Sequence, residues 1–333
     1  MKTLVTGGGG FLGRTIVEQL LRRGAEVRIL ARHAYPALQK LGAECVQGDI
    51  QNQEDIERAC KDIDVVFHTA AKVGAFGRYR DFYHANVIGT QNILESCWKH
   101  VIPKLIFTSS SSVCYAGEDQ VNVDETTPYP KTFLSPYSQT KAISEQLVLK
   151  ANDKKGLLTV SLRPHLIWGP RDPYLLPRVI EQAKKGRLRI IGDGKNLTDI
   201  SYVENVAQAH LLAADALTST SRVCGKAYYI TQGKPVVMWE WMNLVLKGAG
   251  IAPLTQHISA QTVYRIGAAL ETFYTILHLP WEPPMTRMVA KQLSTTHTYN
   301  ISRAREDFGY TPQISTEEGL NRFFAYLNAS SKK

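Results

Sequence analysis

The feature that most constrains the fold is a cluster of glycines that directly follows a short apolar run near residue 1. Leu4 and Val5 have the character of a buried strand, and Gly7, Gly10 and Gly13 follow at intervals of three. A helical pattern of apolar residues comes next, so the segment predicts a strand, a tight turn and a helix. Glycines in such a unit permit the turn, a close approach of the backbone to phosphates and packing of the helix on the strand. The helix N-terminus adds N–H groups that favour anions, so we expect a phosphate-binding turn here rather than a glycine-rich surface turn.

Further apolar runs alternate with helical patterns through the first half of the chain. The predicted strands after the glycines span residues 27–31, 44–50, 64–68, 104–109 and 158–162. A helix is predicted over residues 79–98, and Asn86 within it is a poor helix former that packing or a site must explain. Strands that alternate with helices predict an α/β fold with a parallel sheet.

Composition and charge narrow the class of protein. The 333 residues are 44% hydrophobic, which excludes a disordered chain. The net charge of +9 has no block of like charges, so it fits an anionic cofactor and acidic substrates better than nucleic acid. Five cysteines without a Cys-x-x-Cys pair or a histidine-rich partner predict reduced thiols and no metal site. The first apolar run is too short for a signal peptide and no run reaches the roughly 18 residues of a membrane span, so we expect a cytoplasmic protein.

The end of the second predicted strand carries a residue that could select the cofactor. In an α/β fold of this type that position faces the adenosine ribose, where an acidic side chain favours NAD and an arginine accommodates the 2′-phosphate of NADP. No Asp or Glu lies between Arg28 and Tyr35, and Arg32 stands at the strand end with Arg14 as a further cation. The sequence therefore predicts NADP(H), with NAD(H) as the alternative. Alternatively, Arg32 is only a solvated charge in a loop and has no role in cofactor binding.

Two more strand ends contribute candidates to the same crevice. Asp49 follows the third strand, where it could accept a hydrogen bond from the adenine amino group or cap the helix that begins at Gln53. Ala70 and Ala71 follow the fourth strand. Their small side chains would let a dinucleotide lie against the backbone.

A serine run and a tyrosine–lysine pair supply groups for carbonyl chemistry. Four serines, residues 109–112, follow the fifth strand, where they could donate to a substrate oxygen or form a hydrogen-bonded turn. Tyr137 and Lys141 are four residues apart, so their side chains lie on one helical face. An ammonium one turn away, together with the positive ring of an oxidised nicotinamide, favours the phenolate and is expected to lower the pKa of Tyr137 from its usual value near 10, as general acid–base catalysis requires.

Together these motifs resemble those of the extended short-chain dehydrogenase/reductase family. The family pattern Thr-Gly-x-x-Gly-x-x-Gly is matched by residues 6–13, and Tyr-x-x-x-Lys is matched by residues 137–141. The resemblance implies a Rossmann-type doubly wound parallel sheet and a smaller C-terminal α/β subdomain that binds the substrate. It also implies that the nicotinamide domain spans residues 1–170, with a strand and a helix from about 198–230, and that residues 171–333 form mainly the substrate subdomain.

The resemblance implies roles for individual residues. Tyr137 would be the general acid/base, Lys141 would hold the nicotinamide ribose and tune Tyr137, and Ser110 would donate to the reacting oxygen. Ser109 and Ser111 are the near alternatives to Ser110. The candidate cofactor contacts are Gly7, Gly10, Phe11, Leu12, Gly13, Arg32, Asp49, Ile50, Ala70, Ala71, Lys72, Tyr137, Lys141, Pro164 and Ile167.

Two later stretches narrow the branch of the family. Residues 163–170 are similar to the Arg-Pro-x-x-Ile-Tyr-Gly-Pro stretch of the 3β-hydroxysteroid dehydrogenase branch, with Trp168 in place of the tyrosine. In that branch Pro164 packs by the nicotinamide. Nucleotide-sugar epimerases and dehydratases typically carry an arginine that grips the substrate diphosphate where this chain has Thr198. The resemblance therefore implies a substrate with a carbon skeleton rather than a sugar nucleotide.

Within this branch, the chain is most similar to bacterial reductases that act on 2-alkyl-3-oxo fatty acids in long-chain olefin biosynthesis. Local matches lie at residues 32–36, 85–90, 166–170 and 308–312. The similarity implies NADPH-dependent reduction of a hydrophobic keto acid to the 3-hydroxy acid. One alternative is a 3β-hydroxysteroid or sterol-4α-carboxylate 3-dehydrogenase acting on a sterol-like alcohol, and a second is a nucleotide-sugar epimerase or dehydratase. A non-catalytic NADP-binding regulator need not keep the serine, tyrosine and lysine, so their joint presence favours an enzyme.

The C-terminal part offers few signals. Residues 259–279 are its most apolar stretch, and the open interpretations are a packed core helix, a lid over an alkyl channel and an interfacial membrane helix. If a long-chain acid binds, Arg171, Arg287 or Lys291 could hold its carboxylate. By analogy with the family we expect a homodimer with no membrane span, and a peripheral membrane contact is compatible with the apolar stretch.

Overall fold

A seven-stranded parallel sheet forms the centre of the protein in the computed structural model, which describes residues 1–330. In chain order the strands are β1 (Lys2–Thr6), β2 (Glu26–Ala31), β3 (Glu44–Gln47), β4 (Val65–His68), β5 (Lys104–Thr108), β6 (Gln120–Val123), β7 (Leu158–Pro164), β8 (Ile167–Trp168), β9 (Ile190–Ile191), β10 (Leu197–Thr198), β11 (Ser201–Tyr202), β12 (Lys226–Ile230), β13 (Val236–Val237), β14 (His257–Ile258) and β15 (His297–Tyr299). The central sheet has the order β12-β7-β5-β4-β1-β2-β3, and each neighbouring pair is parallel. The predicted parallel α/β sheet is confirmed.

Helices cover both faces of this sheet. In chain order they are α1 (Phe11–Arg22), α2 (Pro36–Lys40), α3 (Gln53–Cys60), α4 (Tyr79–Phe82), α5 (Gly89–Lys99), α6 (Pro136–Ala151), α7 (Leu175–Lys184), α8 (Val203–Ala216), α9 (Met238–Gly248), α10 (Ala260–Ile276), α11 (Arg287–Ser294), α12 (Ser302–Phe308) and α13 (Thr316–Ser330). Successive strand residues point to opposite faces, so Val5 packs with α1 and α8 while Leu4 packs with α3, α5 and α6. Both are fully buried because helices lie on either side, which explains the apolar run of β1.

The structure shortens or divides four predicted elements, among them β4, which begins at Val65 and not at residue 64. β3 ends at Gln47 rather than at residue 50, because the chain turns away after the Gly48 N–H donates to the Ala31 carbonyl. β5 ends at Thr108, one residue before the predicted end. The helix predicted over residues 79–98 consists of α4, a π-helical segment Tyr83–Ile88 and α5.

A second hydrophobic core lies in the C-terminal part of the chain. Its largest fully buried side chains are Trp168, Trp239 and Trp241, and the α13 residue Phe323 packs into the same cluster. A four-stranded sheet in the order β13-β10-β15-β6 accompanies this core, whereas β12 joins the edge of the central sheet. A cavity lies between these two parts of the chain, because its walls draw on the strand ends of the first and on helices of the second.

The exposure of the side chains on α10 rules out one interpretation of residues 259–279. Only Val263 and Gly267 on this helix are buried, whereas Phe273 is 52% exposed and Ile276 is 67% exposed. A packed core helix is therefore wrong, because most of its apolar side chains face away from the core. In residues 1–330 we find no helix with the length and apolar character that a bilayer crossing requires.

Candidate active site

The glycine turn between β1 and α1 forms a cradle that side chains would fill. Gly7 has a φ of +69°, and the Gly10 N–H donates to the Gly7 carbonyl at 2.8 Å. A Cβ atom on Gly13 would lie 2.2 Å from that carbonyl oxygen. No side chain caps α1, and its first turn, which contains Phe11 and Leu12, carries no acidic residue. Its N-terminal N–H groups therefore fit the pyrophosphate of a dinucleotide.

An aromatic ring that sequence reasoning missed covers the middle of this turn. A Cβ atom on Gly9 would lie 1.9 Å from Cζ of Tyr35, so only a glycine lets the ring pack at this position. Tyr35 follows Arg32 and His33, which are both exposed beyond the end of β2. Within the described residues Arg32 forms no ion pair, so the approach of an anion to this edge is not blocked by an acidic partner.

Asp49 does not cap the helix that follows it. Its carboxylate accepts a hydrogen bond from the Gln51 N–H at 2.9 Å. The N-cap of α3 is Asn52, whose side chain accepts from the N–H groups of Glu54 and Asp55. The capping interpretation is wrong because Asn52 directly precedes the helix, whereas Asp49 stands one turn earlier at the strand end.

The remaining predicted cofactor contacts divide between the crevice and the packing around it. Ala70 and Ala71 follow β4, and the Ala70 Cα would lie 2.9 Å from a Cβ atom on Gly7, so it borders the glycine turn. Ile50 instead packs against the backbone of Gly89 in α5. Ile167 lies in β8, which pairs with β11 rather than with the central sheet.

The hydrogen bonds of the Asn86 side chain explain why this poor helix former lies inside a helical segment. Its side chain accepts from the Lys72 N–H at 2.7 Å and donates to the Lys72 carbonyl at 3.1 Å and to the Thr140 hydroxyl at 3.0 Å. The residue is buried within the π-helical segment, a widened turn that is frequent at functional sites. Asn86 thus fixes the loop after β4 against α6, next to Lys141.

Ser110 and Tyr137 meet at the wall of one cavity. The Ser110 side chain is close enough to the phenol of Tyr137 to lower its pKa in part, and its hydroxyl lies 2.9 Å from the Ser112 hydroxyl. Within residues 1–330 the Ser109 hydroxyl is buried without a hydrogen-bond partner, and the Ser111 hydroxyl is 2.7 Å from a histidine nitrogen. Among the candidate serines, Ser110 is therefore the one that faces the tyrosine.

The pKa of Tyr137 is shifted in the direction opposite to the expectation. Burial raises the pKa of this phenol, and the hydrogen bond with Ser110 offsets only part of the effect. The Lys141 ammonium is directed elsewhere: it donates to the Thr108 carbonyl at 2.5 Å and lies 4.0 Å from the centre of the Phe107 ring. The net shift of the Tyr137 pKa is therefore upward instead of downward, because burial of the phenol dominates, and the action of Lys141 on the phenolate stays a prediction.

Lys141 is itself strongly perturbed. Burial lowers its pKa to about 7, and the negative charge of Glu145, one helical turn later, opposes that shift. The Glu145 carboxylate is fully buried and forms a short ion pair with Arg163, at 2.7 Å, so much of its charge is compensated. Lys141 therefore exchanges its proton near neutral pH.

Two adjacent cavities lie beside these groups. The first, of about 210 Å³, is lined by Gly74, Ala75, Ser110, Ser111, Ser112, Tyr137, Pro164, His165, Leu166, Met288 and Gln292. The second, of about 270 Å³, is mainly apolar and is lined by His165, Leu166, Tyr174, Leu175, Arg178, Val179, Gln182, Leu188, Met238, Met242, Pro284, Met285, Val289, Gln292 and Leu293. Their shared residues are His165, Leu166 and Gln292, so the polar cavity continues into the apolar one. Sequence reasoning found Ser110, Tyr137 and Pro164 here. It missed the α11 residues that line the cavities, which carry no recognisable motif: Met288, Val289, Gln292 and Leu293.

His165 separates the site from the core behind it. Its Nδ1 lies 2.7 Å from the Ser111 hydroxyl and its Nε2 lies 3.3 Å from the hydroxyl of Thr198. Burial lowers the pKa of His165 well below its usual value, so the ring is neutral at physiological pH. Thr198 is fully buried, and it contributes no cation where sugar-nucleotide enzymes typically carry an arginine.

Hydrogen bonds and an ion pair hold the loop between α10 and α11 at the walls of both cavities. The Glu282 carboxylate accepts from the Ala75 N–H at 3.0 Å, and Ala75 lines the polar cavity. The Arg178 guanidinium donates to the Pro284 carbonyl at 3.1 Å and lies 3.8 Å from the Glu282 carboxylate. Pro284 lines the apolar cavity, so this loop joins the walls of both.

The three cations considered for a substrate carboxylate all have other partners. Both terminal guanidinium nitrogens of Arg171 donate to Glu18, and Arg287 is paired with Glu271. The Lys291 ammonium lies over an aromatic ring at 5.7 Å from its centre. None of the three lines either cavity.

Comparison with known proteins relates the whole chain to one group of enzymes. The model of the 3-beta hydroxysteroid dehydrogenase/isomerase family matches residues 4–259. A 2-alkyl-3-oxoalkanoate reductase from Stenotrophomonas maltophilia is 47% identical, and the alignment covers 99% of each chain. A decarboxylating sterol-4-alpha-carboxylate 3-dehydrogenase from Mus musculus is 36% identical over 96% of this chain and 89% of that protein. Among solved structures, a dTDP-glucose 4,6-dehydratase from Streptomyces venezuelae with NAD bound has a TM-score of 0.79 at 21% identity, covering 100% of this chain and 98% of that one, which shows the shared fold.

Proposed function

The chain belongs to the 3-beta hydroxysteroid dehydrogenase/isomerase family, and on that premise we propose that it reduces a 2-alkyl-3-oxo fatty acid to the 3-hydroxy acid with NADPH. The observation that carries the proposal is the continuity of two cavities, one with Ser110 and Tyr137 in its wall and one apolar. A ketone between those two hydroxyls would place its alkyl chains towards the apolar wall. The bacterial relative named for this reaction supports the substrate class.

The roles of the reacting side chains follow from their environment. Ser110 and Tyr137 would donate hydrogen bonds to the keto oxygen, and Tyr137 would transfer its proton to that oxygen as the alcohol forms. Bound NADPH supplies the hydride. The raised pKa keeps the phenol protonated at neutral pH, which suits the reducing direction because the side chain must act as an acid.

Lys141 would act on both the cofactor and the tyrosine. Its amine is positioned by the Thr108 carbonyl at the end of β5, on the same helical face as Tyr137. From there it would hold the nicotinamide ribose and, when protonated, stabilise the phenolate that forms at Tyr137. We infer that residues 1–170, with elements from about 198–230, bind the cofactor and that later residues mainly bind the substrate.

We propose NADP(H) as the preferred cofactor and NAD(H) as the weaker one. Exposed Arg32, without an ion-pair partner in the described part of the chain, supports the preference. We expect Arg32→Glu to reduce kcat/KM for NADPH about tenfold or more while activity with NADH is retained, because the new carboxylate repels the 2′-phosphate. Arg22→Glu, at an exposed position on α1, is the matched control. An equal effect of both changes on NADPH activity would contradict the role of Arg32.

A second candidate is oxidation of the 3-hydroxyl group of a sterol or sterol-4α-carboxylate. The mouse relative, at 36% identity, and the apolar cavity of about 270 Å³ favour it over a sugar-nucleotide substrate. The two candidates use the same acid–base groups and differ in substrate shape. A sugar-nucleotide epimerase or dehydratase is disfavoured by Thr198, and titration with a UDP-sugar would test that point.

We also propose a cytoplasmic homodimer with at most a peripheral membrane contact. The five free cysteines support a reducing compartment. On α10, the side chains of Ile266 and Phe273 are exposed, as is that of Leu277 directly after the helix, and Arg265 lies beside them, as in helices that bind a membrane interface. Sedimentation equilibrium tests the dimer, and flotation with anionic vesicles tests the contact.

The decisive assay for the proposed function is NADPH oxidation with 2-alkyl-3-oxo acids of graded chain length. We expect kcat/KM to rise with alkyl length until the apolar cavity is filled, because each methylene removed from water adds about 0.8 kcal/mol. NADH and a 3β-hydroxysteroid with NADP⁺ are the comparison reactions. Turnover of the steroid alone would replace the proposal by the second candidate.

A further inference from the structure

This inference rests on the proposed function, in which the substrate is a 3-oxo acid. The polar cavity must then bind the carboxylate of that acid as well as its ketone. Its carboxylate lies two carbon–carbon bonds from the reacting ketone carbon, so it must sit in the same cavity. Desolvating a carboxylate is costly unless hydrogen-bond donors receive it. Among the described residues, those that line this cavity include no arginine and no lysine.

The cationic side chains near the cavities already have partners within the protein or line neither cavity. The side chain of Arg178, which lines only the apolar cavity, is directed to the loop carbonyls and to Glu282. Arg171, Arg287 and Lys291 line neither cavity. The carboxylate must therefore be received by neutral donors.

Two neutral candidates in the wall are also occupied. The His165 ring and the Ser111 hydroxyl are bonded to each other, and the second ring nitrogen faces Thr198. Ser110 is required at the keto oxygen, so the Ser112 hydroxyl, 2.9 Å from Ser110, can contribute only alongside it.

Gln292 is the remaining donor. It lies on α11 and lines both cavities, so it marks the point where the head of a fatty acid would meet its chains. Within residues 1–330 its side-chain amide forms no hydrogen bond, whereas the other polar groups of the wall are engaged. A primary amide offers two N–H donors, which suit a carboxylate.

We propose that Gln292 is the specificity-determining residue that receives the substrate carboxylate, with the Ser112 hydroxyl as a second donor. The site then distinguishes a 3-oxo acid from a neutral ketone by uncharged hydrogen bonds instead of an ion pair. A carboxylate at position 292 would accordingly repel the acid.

The test compares a 2-alkyl-3-oxo acid with its methyl ester, which has the same alkyl chains and no charge. For Gln292→Leu we expect kcat/KM for the acid to fall about 10- to 100-fold, the range for loss of a hydrogen bond to a charged group. Gln292→Glu should reduce it further. Activity with the ester should fall by a clearly smaller factor in both variants, because its carbonyl can accept only a neutral hydrogen bond, and the activity that remains also shows that the variants are folded.

Gln182→Leu is the matched control, since Gln182 lines only the apolar cavity. It should not change the ratio of acid to ester activity. The proposal is overturned if either Gln292 variant leaves the acid unaffected, or if acid and ester fall together. If the unaltered protein reduces the acid but the ratio does not respond to Gln292, this inference fails while the proposed function stands. If the unaltered protein reduces no 3-oxo acid, both fail.

Discussion

The burial of Lys141 predicts how the free energy of unfolding depends on pH, and the magnitude follows from the shift of its pKa. Burial lowers its pKa from 10.5 to about 7 in the folded protein. Between these values the unfolded chain binds one proton more than the folded one, so the stability of the folded state rises with pH. With 1.36 kcal/mol for each unit, burying this amine costs about 4 kcal/mol at pH 7 and about 2 kcal/mol at pH 9.

The perturbation is Lys141→Met, which keeps the length of the side chain and removes the titrating group. Urea unfolding of both proteins at pH 7 and pH 9 gives the measurement. The difference in unfolding free energy, unaltered protein minus variant, should increase by about 2 kcal/mol from pH 7 to pH 9. Loss of the hydrogen bond to the Thr108 carbonyl adds an offset that does not depend on pH. A difference that is the same at both pH values would refute the lowered pKa.

Three further predictions concern the surroundings of the site. Asn86→Ala should cost about 2–3 kcal/mol in urea unfolding and weaken NADPH binding in a fluorescence titration, because it removes two hydrogen bonds to Lys72 and a buried one to Thr140; unchanged stability would contradict this. Gly13→Ala should raise the Kd of NADPH at least tenfold, since its Cβ would lie 2.2 Å from the Gly7 carbonyl oxygen. An unaltered Kd would show that the turn can rearrange around the methyl group without loss of NADPH binding. Glu282→Ala should increase iodide quenching of the exposed Trp281 by freeing the loop from the Ala75 N–H; equal quenching would mean that the contact does not hold the loop.

The α/β fold could be predicted from sequence because its signals are local. The apolar run of β1, the glycines and the amphipathic α1 are consecutive, and Leu4 and Val5 are buried as such a run requires. Boundaries were less accurate where a turn competes with the strand, as after β3. The π-helical segment could not be foreseen, because the bonds of Asn86 to Lys72 and Thr140 join residues far apart in the chain.

The candidate site was only partly predictable. Sequence motifs indicated Ser110, Tyr137 and Lys141, and the structure brings the first two together, while their roles remain predictions. The direction of the Tyr137 pKa was missed because helical spacing reveals a neighbouring charge but not the burial that outweighs it. Gln292 could not be found, since its importance arises only from where α11 packs in three dimensions.

The central claim is that Tyr137 gives its proton to a ketone held beside the cofactor. The most direct measurement is the single-turnover oxidation of NADPH by a 2-alkyl-3-oxo acid, with unaltered protein and with Tyr137→Phe. We expect the rate to fall about a hundredfold or more, while the Kd of NADPH stays within about twofold of its original value. If the phenylalanine variant oxidises NADPH at the original rate, the phenol is not the acid and the proposed reaction chemistry is wrong.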